Sequence, residues 1–330
     1  MLEMRVRSLE ETTSTNNEIK AALRAGEPEG LVVRARRQTA AYGRQGRTWA
    51  SPAGGLYFSM LLRPSVPIEQ LSTLSLVVAI ALREAIEGVG VRGALVKWPN
   101  DVVLAAAGDD GGTRGEVDGA LAGSAGVGDR ALASSRERAG VEGPGSAPQG
   151  GSKGSKGSKG SEGVADATLR RGLPFRKLCG ISLEAIAGGV CVGVGVNVVR
   201  PQGAAASSVE RVVSAGKNAP AFVAEALSAA VPVAGCASDD ASRLIDEVFE
   251  AFCDAFARRY GRWCSEGFGV LVDAFNRHAA LTGRHIELVD VEGNSLGAGT
   301  VIGVDPHGRL RLATADGRET ALSSGEAHIV

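Results

Sequence analysis

Residues 38 to 59 place Arg44, Arg47 and Trp49 in one loop with Gly43, Gly46, Gly54 and Gly55, directly before an apolar run. Two guanidinium groups offer forked donors matched to phosphate or carboxylate oxygens. The glycines let the backbone approach a ligand closely, and the indole presents a flat face to a ring. Such a loop suits an anion that carries a ring. Three further segments, Ser14-Thr15-Asn16, Lys97-Trp98-Pro99-Asn100-Asp101 and Lys177, set polar groups at the ends of predicted elements. In a mixed sheet such ends can converge on one crevice. No nucleophile triad, paired carboxylates or histidine cluster is evident in the sequence. The available chemistry is positioning and charge stabilisation, the chief requirement of transfer at a phosphate.

Each segment also has a plainer explanation. Ser14 to Asn16 is a good helix cap, and Lys97 with Asp101 would make an exposed ion pair worth about 0 to 1 kcal/mol. Trp98 reads as core, and Asn197 as a group satisfying backbone near a strand end.

The elements that must position these residues follow from periodicity and punctuation. Thr15 and Glu18 have capping-box spacing ahead of Ile19, Ala22 and Leu23, with Gly26 and Pro28 closing the helix. Leu31 to Arg36 and Leu56 to Leu62 read as strands on either side of the loop, Ile68 to Glu87 as a long apolar helix, and Ala94 to Trp98 as a strand. From about 106 to 172 the chain is Gly, Ser, Ala and charge, including a Gly-Ser-Lys repeat at 151 to 160, and reads as a flexible insertion. Strands are expected again at 176 to 184 and 190 to 198. Gly193-Val194-Gly195 lacks the third glycine and following helix of a dinucleotide fingerprint and is rejected as one. Helices are expected over 239 to 260, where a Phe stripe marks core, and over 270 to 281. From Thr282 onward, short strands alternate with turns as in a small β-barrel.

With 330 residues, 44% apolar, and a formal net charge of -1, the chain has material for a substantial core and no general affinity for polyanions. Five arginines between Arg34 and Arg47 therefore suggest a local anion site. The five cysteines lack metal-type spacing, which favours neither a disulfide framework nor zinc. No apolar run reaches the roughly 18 residues of a membrane span. A soluble protein of the reducing cytoplasm is the expectation, with neither nucleic acid nor membrane as partner.

Taken together, Ser-Thr-Asn at 14 to 16, Gln38 with Gly43-Arg44 through Trp49, Ser51-Pro52 with Gly54-Gly55-Leu56-Tyr57, Lys-Trp-Pro-Asn-Asp at 97 to 101, and Lys-Leu-Cys-Gly-Ile at 177 to 181 resemble the biotin protein ligases. The resemblance is to the class without an amino-terminal DNA-binding domain, and covers nearly everything except the insertion. It implies an α+β fold, a mixed β-sheet flanked by helices of the class II synthetase-like type, with a small C-terminal SH3-like barrel. Residues 1–281 would be the catalytic domain and 282–330 the barrel.

The activity implied is ATP-dependent, Mg²⁺-requiring formation of biotinyl-5′-AMP, followed by transfer of biotin to a lysine of a biotin carboxyl carrier domain. Arg44, Lys97, Asp101 and Lys177 would be catalytic. Biotin would be held by Ser14, Thr15, Asn16, Gln38, Tyr42, Gly43, Arg44, Gly54, Gly55, Lys177 and Gly180, and ATP by Arg44, Arg47, Trp49, Lys97, Asn100, Lys177 and Asn197. Asp101 would help place Mg²⁺ or the incoming lysine. Family members often dimerise, and a homodimer is the corresponding expectation.

The loop departs from the usual Gly-Arg-Gly-Arg by starting Ala41-Tyr42, which removes one permissive residue and one charge. Two rivals share parts of this pattern. Lipoate ligation uses the same adenylation logic on a related fold, but its ligand needs a long apolar slot. A biotin-responsive repressor would need a helix-turn-helix ahead of the pattern, which begins within about fifteen residues of Met1.

Overall fold

The computed structural model describes residues 2–105, 175–202, 219–228 and 238–330. These belong to one compact unit, 1–109 with 173–330. The expected flexible insertion lies outside the described residues.

In chain order the elements are β1 (Arg5–Thr12), α1 (Thr15–Arg24), β2 (Leu31–Gln38), β3 (Leu56–Leu62), α2 (Leu74–Gly88), β4 (Ala94–Lys97) and β5 (Asp101–Ala105). There follow β6 (Phe175–Ile186), β7 (Gly189–Val196), α3 (Val223–Ser228), α4 (Ser238–Glu266), α5 (Val272–Asn276), β8 (His285–Val289), β9 (Ser295–Val304), β10 (Leu310–Ala313), β11 (Glu319–Leu322) and β12 (Glu326–Ile329).

A seven-stranded sheet runs β1-β2-β3-β7-β6-β5-β4. Its β1–β2 pair is parallel and the other neighbours are antiparallel, so the sheet is mixed as the sequence implies. A five-stranded antiparallel sheet, β11-β10-β9-β8-β12, forms the SH3-like C-terminal part.

Alternation along β3 sorts the core into two faces. Leu56, Phe58, Met60 and Leu62 join the large cluster with α2 and α4, where Phe58 meets Phe249 and Phe252 at ring-centroid distances of 5.3 and 5.0 Å. The Phe stripe of α4 is therefore core, continued by Phe256, Tyr260 and Trp263. Leu61 faces the other way, into a smaller cluster with Ile19 and Leu23 of α1, Val33 and Cys191. Ser59 shares that second face, and so do the site residues.

Three expectations are corrected, and one strand was missed. Strand β1 was not legible, because its Arg-Val-Arg-Ser-Leu-Glu-Glu-Thr is exposed along most of its length and joins the sheet as an edge, through backbone pairing. The capping box at Thr15 and Glu18 does not form: Thr15 Oγ1 turns to Gln38 and Ser59, while Glu18 accepts from Thr12 and Arg7. The helix expected over 68 to 87 starts as a 3₁₀ segment, Ile68–Thr73, before α2. The helix expected over 270 to 281 shrinks to a 3₁₀ turn and α5, because backbone at His278 and Ala280 leaves the helix to bond Val96.

Candidate active site

Two rows of residues cross the α1 face of the sheet, and register fixes both. The first runs Ala35, Tyr57, Gly195, Gly180, Asp101 and Lys97; the second runs Val33, Ser59, Gly193 and Ser182. Glycines at the middle of each row leave the sheet backbone open to direct contact.

Trp49 fills the trough of the first row. A Cβ on Gly195 would meet Trp49 Nε1 at 2.6 Å, and one on Gly180 would meet the indole at 3.0 Å and Lys177 Nζ at 3.2 Å. Lys177 Nζ lies 5.3 Å from the indole centroid and 2.7 Å from Asp101 Oδ1. The indole N–H is buried and has no hydrogen-bond partner among the described residues. An unpaired buried donor of this kind costs about 1–3 kcal/mol.

Asn16 fills the second row. A Cβ on Gly193 would strike its Oδ1 at 2.2 Å. Ser59 donates to that Oδ1 at 2.6 Å, and Asn16 Nδ2 donates to Ser182 Oγ at 3.3 Å. Thr15 N and Oγ1 both donate to Gln38 Oε1, at 2.8 and 3.1 Å, and Gln38 Nε2 donates to Ser51 Oγ at 3.0 Å. Ser14, Thr15 and Asn16 are all buried. Side chains this well connected make a polar wall of fixed orientation.

The charged end combines Lys97, Asp101, Lys177 and Arg44. Asp101 pairs with Lys177, which corrects the exposed Lys97–Asp101 ion pair considered from the sequence: the carboxylate side chain is only 13% exposed and its partner lies across the β5–β6 ladder. Burial pushes the Lys97 ammonium below its usual pKa, with Asp101 opposing the shift and Lys177 adding to it. Arg44 Nη1 donates to Asn100 Oδ1 at 3.1 Å, and Asn100 Nδ2 donates to Ile181 O at 2.8 Å. Asn197 Nδ2 donates to Lys177 O at 2.9 Å, so it fixes the lysine's backbone.

Other implied residues serve the loop itself. Arg47 Nη2 reaches Glu326 Oε2 on β12 at 2.5 Å. That hydrogen bond holds the Glu326 carboxyl below the usual carboxylate range, against a smaller opposing effect of burial. Tyr42 Oη donates to Asn17 Oδ1 at 3.2 Å. Gly43 N donates to Arg47 O at 2.8 Å across the loop. Gly54, at φ +106, packs on Val199 O, and a Cβ on Gly55 would strike the Tyr57 hydroxyl; these two form the turn at the loop's base.

Ser59, Ser182 and Glu326 were not singled out from the sequence, and Gly193 and Gly195 were weighed there only as a dinucleotide fingerprint. A signal existed for the serines: each interrupts a buried apolar strand, where an unpaired hydroxyl is costly. None exists for Glu326, whose partner lies 279 residues away.

Among the described residues no group of three or more His, Cys, Asp or Glu could hold a metal ion, and no helix is long and apolar enough to cross a membrane.

A mixed sheet with an SH3-like C-terminal part defines the fold of the biotin protein ligases. Over 99% of this chain and 98% of the other, it matches the structure of "Biotin protein ligase from Aquifex aeolicus in complex with biotin and ATP" with a TM-score of 0.62 and 19% identity. Residues 8–114 match the model of the Biotin/lipoate A/B protein ligase family, and residues 282–328 match the Biotin protein ligase C terminal domain. Over these two stretches the chain is similar to the biotin protein ligases. It is 40% identical over 78 residues to the "Bifunctional ligase/repressor BirA" of Bacillus spizizenii, covering 23% of this chain and 24% of that one. It is 39% identical over 123 residues to the "Biotin--[acetyl-CoA-carboxylase] ligase" of Paracoccus denitrificans, covering 36% of this chain and 47% of that one. In these matches the chain spans from about a quarter to about half of the curated relatives' length.

Proposed function

We propose that this chain is an ATP-dependent ligase that forms biotinyl-5′-AMP and transfers the biotin to a lysine of a biotin carboxyl carrier protein. The observation that carries this reading is the continuity of the glycine trough: a polar wall, an aromatic floor and a lysine–aspartate pair lie on one face of one sheet.

The polar wall of Thr15, Asn16, Gln38 and Ser51 suits a buried ureido ring, whose carbonyl and two N–H groups need matched partners. Ser14 closes the wall at the start of α1. In the first step a biotin carboxylate oxygen bonds to the α-phosphorus of ATP as the bond to the β-phosphate oxygen breaks and pyrophosphate leaves. Two anions must approach each other. Lys177 would lie between carboxylate and α-phosphate, Lys97 and Arg44 would offset the remaining phosphate charge, and Asn100 would hold Arg44 in place. Trp49 would stack on the adenine, its indole N–H finding an acceptor in the ligand.

In the second step the carrier's lysine nitrogen bonds to the acyl carbon and AMP leaves. Asp101 would meet the incoming lysine as Lys177 turns to the phosphate; the lysine attacks as the neutral amine, the bond from the acyl carbon to the AMP phosphate oxygen breaks, and the proton shed by the nitrogen passes to solvent. Mg²⁺ supplies charge neutralisation to the nucleotide's phosphates when bound. Asp101 would offer it a protein carboxylate beside Lys177, which suits an ion arriving with the nucleotide. The hairpin carrying Arg44 would cover the adenylate and exclude water.

Free thiols at Cys179, Cys191, Cys253 and Cys264 suit the reducing cytoplasm as its location. Exchange of labelled pyrophosphate into ATP tests the reading: it should require biotin. Exchange with lipoate alone would assign the chain to lipoate ligation instead.

A further inference from the structure

We propose that Tyr42 and Lys20 form a side-chain clamp that fastens the ligand-covering hairpin to helix α1, with Tyr42 as a positioning residue. Its catalytic consequence rests on the ligase reading above; its structural consequence does not.

Residues 41 to 49 form a small hairpin. Tyr42 and Thr48 bridge antiparallel, Gly43 N donates to Arg47 O at 2.8 Å, and Trp49 N donates to Ala41 O at 3.0 Å. Arg44 lies at its tip, where Gln45 and Gly46 take left-handed φ values of 59° and 69°. The two limbs are bonded together, so whatever fixes Tyr42 also fixes Trp49. The outgoing limb has its anchor in Arg47 and Glu326.

On the incoming limb, the Tyr42 hydroxyl donates to Asn17 Oδ1 at 3.2 Å, and Lys20 Nζ stands 4.9 Å from the ring centroid. Asn17 and Lys20 are three residues apart and share a face of α1. Lys20 is itself held, pairing with Glu184 Oε2 on β6 at 2.7 Å. Glu184 lies two residues beyond Ser182, the partner of Asn16. One helix turn thus carries the polar wall on Thr15 and Asn16 and the hairpin's anchor on Asn17 and Lys20.

Residue type matters here. An arginine at position 42 would set a second cation against Lys20, whereas the phenol gives the ammonium an attractive aromatic face and keeps a hydroxyl for Asn17. The replacement that costs the loop a charge therefore gives it a tether.

Limited trypsin digestion of the full chain without ligand tests the clamp. Cleavage after Arg44 and Arg47 is quantified by mass spectrometry and normalised to cleavage after exposed Arg318. Tyr42→Ala and Lys20→Gln should raise it about five- to tenfold, as loss of a cation–π contact of roughly 1 kcal/mol or more allows. Tyr42→Phe, which keeps the ring, should fall between, and Lys20→Arg, which keeps the cation, should stay near the parent. Wild-type cleavage rates in both Lys20→Gln and Tyr42→Phe would overturn the clamp, even if Tyr42→Ala failed to fold. The second arm measures biotin appearing on a bystander protein in the absence of carrier. It should rise in Lys20→Gln with pyrophosphate exchange retained. A parent protein without biotin-dependent exchange would refute the ligase reading and leave the digestion to decide the clamp; normal exchange with no added leakage would refute the clamp's catalytic role.

Discussion

Lys177 and Asp101 pair at 2.7 Å although register sets Asp101 opposite Gly180, because a bulge between Val102 and Val103 brings the lysine diagonally across the ladder. The lysine is thereby held beside Trp49, 5.3 Å from its ring centroid. Lys177→Ala should reduce biotin-dependent pyrophosphate exchange by at least about 100-fold, the scale of losing a preorganised electrostatic contact. Asp101→Asn should cost less, because the lysine loses its guide and keeps its charge. Equal rates in Lys177→Ala and the parent, measured by exchange at saturating biotin, would remove Lys177 from the chemistry.

Arg44 stands at the tip of the hairpin and reaches the sheet through Asn100. Arg44→Gly should weaken retention of the adenylate, so that biotin appears on bystander proteins as well as on the carrier. Blotting a mixture of carrier and an unrelated lysine-rich protein checks this, and unchanged selectivity would count against a covering role.

The trough depends on Gly195. Alanine there would place its Cβ 2.6 Å from Trp49 Nε1, and overpacking of this kind costs about 1–3 kcal/mol. ATP affinity, measured by calorimetry with biotin present, should fall roughly tenfold. Gly193→Ala should act on biotin instead, since its Cβ meets Asn16.

How much of this was legible in the sequence differs by kind of contact. The loop, the Lys97–Asp101 turn and Lys177 stand out because rare residue types cluster locally, and β3, α4 and the turns of the C-terminal sheet follow from periodicity. What escaped depends on register. Gly193 and Gly195 gain meaning only from Asn16 and Trp49 above them, and Thr15 abandons its cap role because Ser59 and Gln38 offer buried partners. Strand β1 escaped because an exposed edge strand need not alternate.

The Arg47–Glu326 latch predicts a pH dependence. Glu326 has its pKa lowered by its hydrogen bond from Arg47, so its contribution is fully present above the ordinary glutamate pKa and is lost as pH falls through the depressed value. Both side chains are about half exposed, 49% and 46%, so screening limits the contribution to roughly 1 kcal/mol or less. Urea melts of the parent and Glu326→Gln should therefore differ by a constant small amount from neutral pH down to about 5 and converge in stronger acid, below about 4.3. A difference that grew on acidification would contradict the latch.

The central claim is that this trough makes and holds an acyl-adenylate. The direct measurement is to incubate the full chain with biotin, ATP and Mg²⁺, pass it through a desalting column, denature it, and identify the released small molecule by mass spectrometry. Biotinyl-5′-AMP should be recovered in an amount approaching that of the protein, and Lys177→Ala should yield none. Recovery of unreacted biotin alone, or of an adenylate only when lipoate replaces biotin, would contradict the account.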